Sequence, residues 1–388
     1  MKRLFVPAAM LLAFAMPARA DFSSCIASLR SEAAGHGVSD TTLDAAFSGL
    51  QPDMKVLEFQ KDQPEFKTPI WDYLAALVDD ERVADGKAAM GRNAGALASA
   101  EQRYSVDRHI IAAVWGVESN FGTAMGKRPL VQSLSTLACL GERAGYFRGE
   151  LMATLKIIDH GDIPAEHMNG SWAGAFGQTQ FMPSTYQRLA VDLDGDGRRD
   201  IVDSVPDALG STANFLSKAG WQPGLPWGFE VTLPAGYSGP SGRKNKQPMS
   251  AWAARGITRA DGRRLGDGSA GLMLPAGANG PAFLVTRNFE AIFSYNAAES
   301  YSLAIAILAQ RLAGGPGIVT SWPTDDPGLS RAQRRQVQTL LAGRGYDIGE
   351  PDGAIGTKTK AAIADFQGKK GMAPDGRASL KVLEALER

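Results

Sequence analysis

The sequence predicts an α+β protein that is mainly α: a helical body interrupted by a small β-rich insertion and followed by a separate, small three-helix unit. Three observations carry that expectation. Apolar residues recur at helical spacing from residue 22 to about residue 90, again over residues 109–122 and again over residues 303–312. Over residues 221–290 the text changes to short extended pieces, such as Phe229-Glu-Val-Thr-Leu and Ala282-Phe-Leu-Val-Thr, divided by Gly and Pro clusters. Behind Gly314-Gly315-Pro316 and a linker over residues 323–329, helical periodicity resumes across residues 330–388.

The chain opens with Lys2 and Arg3, runs through an apolar stretch from Leu4 to Met16 and reaches Ala18-Arg19-Ala20. That is the pattern of a cleaved secretory signal over residues 1–20, and it is too short to span a membrane. Cys25 lies beyond the cut behind Phe22-Ser23-Ser24, a poor match to a lipoprotein signal, so no membrane anchor is expected after cleavage. The precursor is neutral, with Lys+Arg 41 and Asp+Glu 41, and cleavage removes Lys2, Arg3 and Arg19 and no acid. The mature chain is thus mildly acidic, which argues against a nucleic-acid partner. At 388 residues and 44% hydrophobic content it can build two or three domains with proper cores. Export to an oxidising compartment allows Cys25 and Cys139 to pair, the alternative being two buried thiols.

In the first helical stretch, Ser39 or Asp40 is a cap, and Pro52, Pro64 and Pro69 are breakers. Pro69-Ile70-Trp71-Asp72-Tyr73 sets aromatic residues beside a turn. Sugar rings stack on such faces, but aromatics there are more commonly core, so none is taken as a site residue. The next stretch, HIIAAVWGVESNFG over residues 109–122, places a carboxylic acid at the end of an apolar helix. Glu118 shares its face with Ile111, Val114 and Trp115. A carboxyl there loses water, its pKa rises, and it becomes a general acid near neutral pH. Gly122 supplies a left-handed stop, which puts Glu118 in the last turn. The competing reading is a half-exposed surface glutamate.

Residues 171–183, SWAGAFGQTQFMP, combine small residues with Gln178 and Gln180 beside Trp172, Phe176 and Phe181. Amides among aromatics suit a neutral polyhydroxylated ligand, although a tight helix-packing loop has the same composition. Then Asp192, Asp194, Asp196, Asp200 and Asp203 fall at positions 1, 3, 5, 9 and 12 of a calcium loop, with Gly197 at position 6 and Arg198 at position 7. Asp203 departs from the usual bidentate Glu, and Asp207 can take its place. So many carboxylates repel one another without a cation. After the insertion, Tyr295, Asn296 and Tyr301 combine ring faces with hydroxyl and amide groups at the start of a long apolar helix, as a second wall of a cleft. Residues 330–388 form a helix with Val337, Leu340 and Leu341, an Asp352-Gly353 loop, a helix with Ile363 and Phe366-Gln367, then Asp375-Gly376 and a last helix. About sixty residues can just hold a core.

Together, WGVESNFG around Glu118, SWAGAFGQTQFMP from Ser171, the acidic loop from Asp192 and YNAAESY from Tyr295 resemble the lytic murein transglycosylases of the membrane-bound B family. Their fold is lysozyme-like. Residues 330–388 resemble a peptidoglycan-binding domain. The resemblance implies a lysozyme-like domain over residues 21–322, with Glu118 as acid/base, Ser171 and Gln180 touching substrate, and Tyr295, Asn296 and Tyr301 completing the site. It implies a structural calcium ion at Asp192, Asp194, Asp196, Arg198, Asp203 and Asp207, and no cofactor for catalysis. The family's lipoprotein anchor is absent here, so a monomer free in the periplasm, acting on peptidoglycan glycan strands, is expected. The implied reaction cleaves the β-1,4 bond between N-acetylmuramic acid and N-acetylglucosamine and closes a 1,6-anhydro ring, because the matching motifs hold no second acid of the kind ordinary glycosidases need. A lysozyme-type hydrolase and a non-catalytic wall-binding protein are the alternatives.

Overall fold

The computed structural model describes residues 17–60 and 68–388. Residues 1–16 of the signal stretch, and Pro64, lie outside the described residues. The first described helix is Pro17–Gly35, and Ser39 caps the next, Asp40–Phe47, by accepting the Thr42 amide. Cys25 on the first helix is joined to Cys139 on the helix Leu130–Leu140 in a disulfide that closes a separation of 114 residues. A crosslink across a loop of that size removes much of the unfolded chain's freedom, typically about 2–4 kcal/mol of stabilisation.

Two apolar cores divide the body. The first lies among the N-terminal helices, Leu130–Leu140, Ala144–His160 and the 176–186 segment, with Leu134, Leu151, Phe176 and Tyr186 buried. The second is built on the helix Arg108–Ser119, whose residues Ile110 to Gly116 are all buried. A helix that is apolar all round belongs at the centre. It packs against Glu299–Leu312, Val205–Lys218, Asp80–Arg92 and Ala94–Tyr104. Asp107 starts it by accepting the His109 amide at 2.7 Å.

The end of this helix differs from expectation. Asn120 (φ +49°) and Phe121 (φ +58°), not Gly122 alone, take the left-handed conformation that stops it. The reason is tertiary: the turn folds Phe121 back beneath the helix, edge-on to Trp115 with centroids 5.6 Å apart. There the ring fills space that glycines leave open. A Cβ on Gly116 would lie 2.5 Å from the Phe121 ring, and one on Gly86 2.7 Å from it. Burial of that ring offsets the backbone cost of its conformation.

Among the described residues, seven short strands make two sheets. β1 (Arg128–Pro129) pairs antiparallel with β2 (Asn169–Gly170). β3 (Gly228–Thr232), β4 (Gln247–Pro248), β5 (Thr258–Arg259), β6 (Ser269–Met273) and β7 (Ala282–Val285) form an antiparallel sheet in the order β4-β6-β7-β3-β5. Leu284 of β7 faces Phe229 of β3 and Leu272 of β6, and Trp252 is buried with them. The β-rich stretch ends earlier than the sequence suggests, because Thr286 caps a helix at Arg287–Asn296. That helix meets Glu299–Leu312 at Ala297 (φ +48°), so Tyr295 and Asn296 close one helix while Tyr301 opens the next.

The C-terminal unit has helices Arg331–Gly343, Thr357–Lys369 and Leu380–Glu387 around Val337, Leu341, Ile363, Phe366 and Val382. It is internally repetitive. Gln338 accepts the Gly353 amide (2.7 Å) and donates to Asp352 (3.0 Å), while Gln367 accepts the Gly376 amide (2.8 Å) and donates to Asp375 (2.7 Å). One buried glutamine thus pins each Asp-Gly turn. Among the described residues no helix is long and apolar enough to cross a membrane.

Candidate active site

Glu118 sits in the last turn of its helix, half-buried in a cleft of about 420 Å³. The helix Ile70–Leu77, with Thr68 just before it, supplies one wall through Asp72 and Tyr73, and Asn296 and Tyr301 supply the other. Burial raises the Glu118 carboxyl from the ordinary glutamate range to about 7, and a hydrogen bond from the Tyr301 hydroxyl to Glu118 Oε1 opposes part of that rise. The carboxyl can therefore hold its proton well above the pH at which an ordinary glutamate loses it. The Tyr301 hydroxyl is itself pushed well above its usual range, chiefly by burial, so it stays neutral and remains a donor.

Tyr295 stands behind Tyr301. Their rings lie 6.3 Å apart at 22°, Tyr295 packs on Phe215 at 4.6 Å, and its hydroxyl donates to the Thr179 carbonyl at 2.7 Å. That hydroxyl is committed to the 171–183 loop, so Tyr295 supports Tyr301 rather than lining the cleft around Glu118. Ser171 and Gln180 are also outside those walls. Ser171 Oγ accepts the Ala175 amide (3.0 Å), and Gln180, held at φ +50°, donates to the carbonyls of Met125 (3.0 Å) and Gly177 (2.8 Å). Gln178 is buried and structural: it accepts from Trp115 Nε1 at 3.0 Å and donates to the Val202 carbonyl at 3.0 Å. Ser119 donates to the Gln178 carbonyl at 2.5 Å and accepts the Gly122 amide at 2.9 Å. The loop is thereby fastened to the end of the acid's helix.

The sequence reading missed Asp72 and Tyr73 as cleft residues. Their signal was the Pro69 turn with its aromatics, assigned to core. Asp72 is a second carboxylate in the cleft, and it is held: Arg377 forks onto it, Nε to Oδ2 at 2.5 Å and Nη2 to Oδ1 at 2.7 Å.

In the acidic loop, oxygens of Asp192, Asp194, Asp196 and Asp207 lie within 4.8 Å of one another. Asp203 is not in this group. Asp200 Oδ1 accepts the Val202 and Asp203 amides, each at 2.9 Å, and turns Asp203 outward to His167 Nδ1 at 2.5 Å. Asp207, in the first turn of Val205–Lys218, replaces it, drawn in by the amides of Leu193 (2.7 Å) and Asp200 (2.8 Å). Burial outweighs those bonds and pushes the Asp207 carboxyl up. Arg198 turns its guanidinium onto Asp196 at 3.0 Å, at the rim of the cluster. An all-oxygen, crowded anionic set of this kind fits a hard cation of calcium's size and loose geometry.

A protonatable glutamate in a cleft of a mainly helical body is an arrangement suited to breaking glycosidic bonds. Residues 21–310 match the family described as "Transglycosylase SLT domain", and residues 330–386 that described as "Putative peptidoglycan binding domain". The chain belongs to this lytic transglycosylase family and ends in a peptidoglycan-binding domain. Membrane-bound lytic murein transglycosylase B of Escherichia coli (strain K12) is 35% identical over 246 residues, 62% of this chain and 66% of that protein, so the match spans about two thirds of the relative. The crystal structure of SltB3 from Pseudomonas aeruginosa with NAG-anhNAM-pentapeptide is similar with a TM-score of 0.76 and 44% identity, covering 95% of this chain and 99% of that one. The Escherichia coli lytic transglycosylase Slt35 in complex with calcium has a TM-score of 0.65 and 31% identity, covering 76% and 92%. Membership sets aside a purely wall-binding scaffold.

Proposed function

We propose that this protein cleaves the β-1,4 bond between N-acetylmuramic acid and N-acetylglucosamine in the periplasm, leaving 1,6-anhydromuramyl ends, with Glu118 as its single acid/base. The observation that carries this reading is the pairing of a protonatable Glu118 with a second cleft carboxylate, Asp72, already held by Arg377. A carboxylate locked in a bidentate ion pair is a poor nucleophile and a poor base for water. Glu118 donates its proton to the glycosidic oxygen and the C1–O4 bond breaks. The substrate's own acetamido group and the Asn296 amide dipole stabilise the cation left at C1. Glu118, now a carboxylate steadied by the Tyr301 hydroxyl, removes the proton from the muramyl C6 hydroxyl, and O6 bonds to C1. No water enters and the acid ends protonated as it began. The anhydro ligand bound to the Pseudomonas aeruginosa relative is in keeping with this outcome.

Calcium enters this reading as a structural ion held by Asp192, Asp194, Asp196 and Asp207. It braces the loop beside the start of Val205–Lys218, and no chemical step uses it. Mass spectrometry of muropeptides released from purified sacculi tests the reaction: products lacking one water are expected, and reducing-end products would move the reading to a hydrolase.

The pH dependence follows from Glu118. The first step needs the protonated acid, so kcat/KM should hold below neutrality and fall as pH rises through about 7. Tyr301→Phe removes the donor that favours the charged form. The Glu118 pKa then rises and the alkaline limb moves to higher pH, while the rate drops because the second step loses its support. A limb that stayed in place would show that Tyr301 does not set the acid's proton affinity.

A further inference from the structure

The C-terminal unit touches one wall of the cleft and the turn that follows Glu118. On one side Arg377 forks onto Asp72, and the same guanidinium reaches Asp326 Oδ2 at 2.7 Å and the Asp326 carbonyl at 2.5 Å, so the linker is gathered into the same contact. The linker also presses on this wall: a Cβ on Gly328 would lie 2.6 Å from Asp72 Cα. On the other side, Arg331 Nη2 donates to Asn120 Oδ1 at 3.2 Å, two residues beyond Glu118, and its Nη1 meets Asp85 at 2.9 Å. The Arg331 amide donates to Asp79 Oδ2 at 3.0 Å, while Asp79 Oδ1 caps Asp80–Arg92 through the Arg82 amide at 2.8 Å. The buried Arg82 guanidinium in turn donates to the Gly116 carbonyl at 2.5 Å, within the acid's own helix. Arg335 pairs with Glu81 on the same face.

We propose that the peptidoglycan-binding unit is also a structural brace of the catalytic cleft, with Arg377 and Arg331 as positioning residues that hold the Asp72–Tyr73 wall in register with Glu118. The inference rests on the reading of Glu118 as the acid/base. A module that only tethers the enzyme raises local concentration on the polymer and is irrelevant to a small dissolved substrate. A brace acts on every substrate, because a displacement of about 1 Å among reacting groups costs up to about 100-fold in rate. Arginine suits such a brace because its planar fork fixes both oxygens of Asp72 at once, which Lys cannot do.

The experiment uses the full chain carrying Arg377→Ala with Arg331→Ala, and separately the milder Arg377→Lys, on soluble tetrasaccharide fragments and on sacculi. The double variant should lose about 10-fold or more in kcat on the soluble fragments, with KM little changed and sacculus co-sedimentation retained. Arg377→Lys should recover only part of that loss. The pH profile should move as well. Tyr301 and Tyr73 line the cleft with Glu118, Tyr295 stands behind Tyr301 and Asp72 shares the cleft, and water admitted by a loosened wall lets the acid ionise more readily, shifting the alkaline limb to lower pH. Hydrogen exchange supplies a readout without turnover: amides of residues 70–77 and 116–122 should exchange faster in the double variant, and those of 144–160 should not. Wild-type rates on soluble fragments with loss only on sacculi, or unchanged exchange at 70–77, would overturn the proposal. Failure of the wild-type enzyme to form anhydro products would instead overturn the reading of Glu118.

Discussion

Glu118→Gln is expected to stay folded and to release no measurable anhydro product. Loss of one general acid/base contribution costs about 10²- to 10⁴-fold, and here the same residue acts in both steps, so the deficit should lie at or beyond the upper end. The amide can still accept from Tyr301 and fills nearly the same volume, so the cleft keeps its shape. Stability should change in the opposite sense. A carboxyl whose pKa is raised by folding binds its proton more tightly in the native state, so it contributes fully at pH below the ordinary glutamate value and its contribution is lost as pH rises to about 7. Above that pH the wild type carries a buried charge and the variant does not. Urea denaturation should find Glu118→Gln more stable than wild type at pH 8, by up to about 3 kcal/mol, and not at pH 4. Equal activity would remove Glu118 from the mechanism. Equal stability at pH 8 would mean that the carboxyl is better hydrated than its cleft suggests.

The second large effect is at Asp207. Its buried carboxylate accepts three backbone amides, those of Leu193, Asp194 and Asp200, and also faces Asp192, Asp194 and Asp196. Asp207→Ala strands those donors and breaks the cluster, at a cost of about 3 kcal/mol or more. It should also abolish the response to calcium. With calcium at 100 times its dissociation constant, the wild type should gain about 2.7 kcal/mol over chelator-treated protein. Thermal unfolding with calcium and with chelator separates the two parts. A wild type indifferent to calcium would leave the cluster as a hydrogen-bonded turn. Asp203→Ala, whose side chain meets His167 at the surface, should keep the calcium response.

How much of this is legible in the sequence depends on how local each feature is. The helix around Glu118 follows from the spacing of Ile111, Val114 and Trp115, all within one segment. The turn after it does not, because Asn120 and Phe121 adopt positive φ only where Gly86, more than thirty residues earlier, leaves room for the ring. The acidic loop shows the same division. Its first three aspartates gather as their spacing suggests, but the choice of Asp207 over Asp203 is made by Asp200, whose carboxylate caps two amides and turns the chain. Asn296 and Tyr301 line the cleft with Glu118, whereas Ser171, Gln180 and Tyr295 each hydrogen-bond to the backbone of the loop that supports it. Asp72 could not be identified from its neighbours, since its partner Arg377 lies 305 residues away. Pairings across such distances leave no periodicity to read.

The ring of Phe121, seated between Gly86 and Gly116, has a consequence for genetics. A methyl group at either glycine must displace the ring, and with it the turn that Ser119 and Gly122 use to hold the 171–183 loop. Neither glycine touches the cleft. A random-mutagenesis screen for inactive alleles should nonetheless recover Gly86 and Gly116 beside Glu118, and their revertants should carry a smaller side chain at position 121.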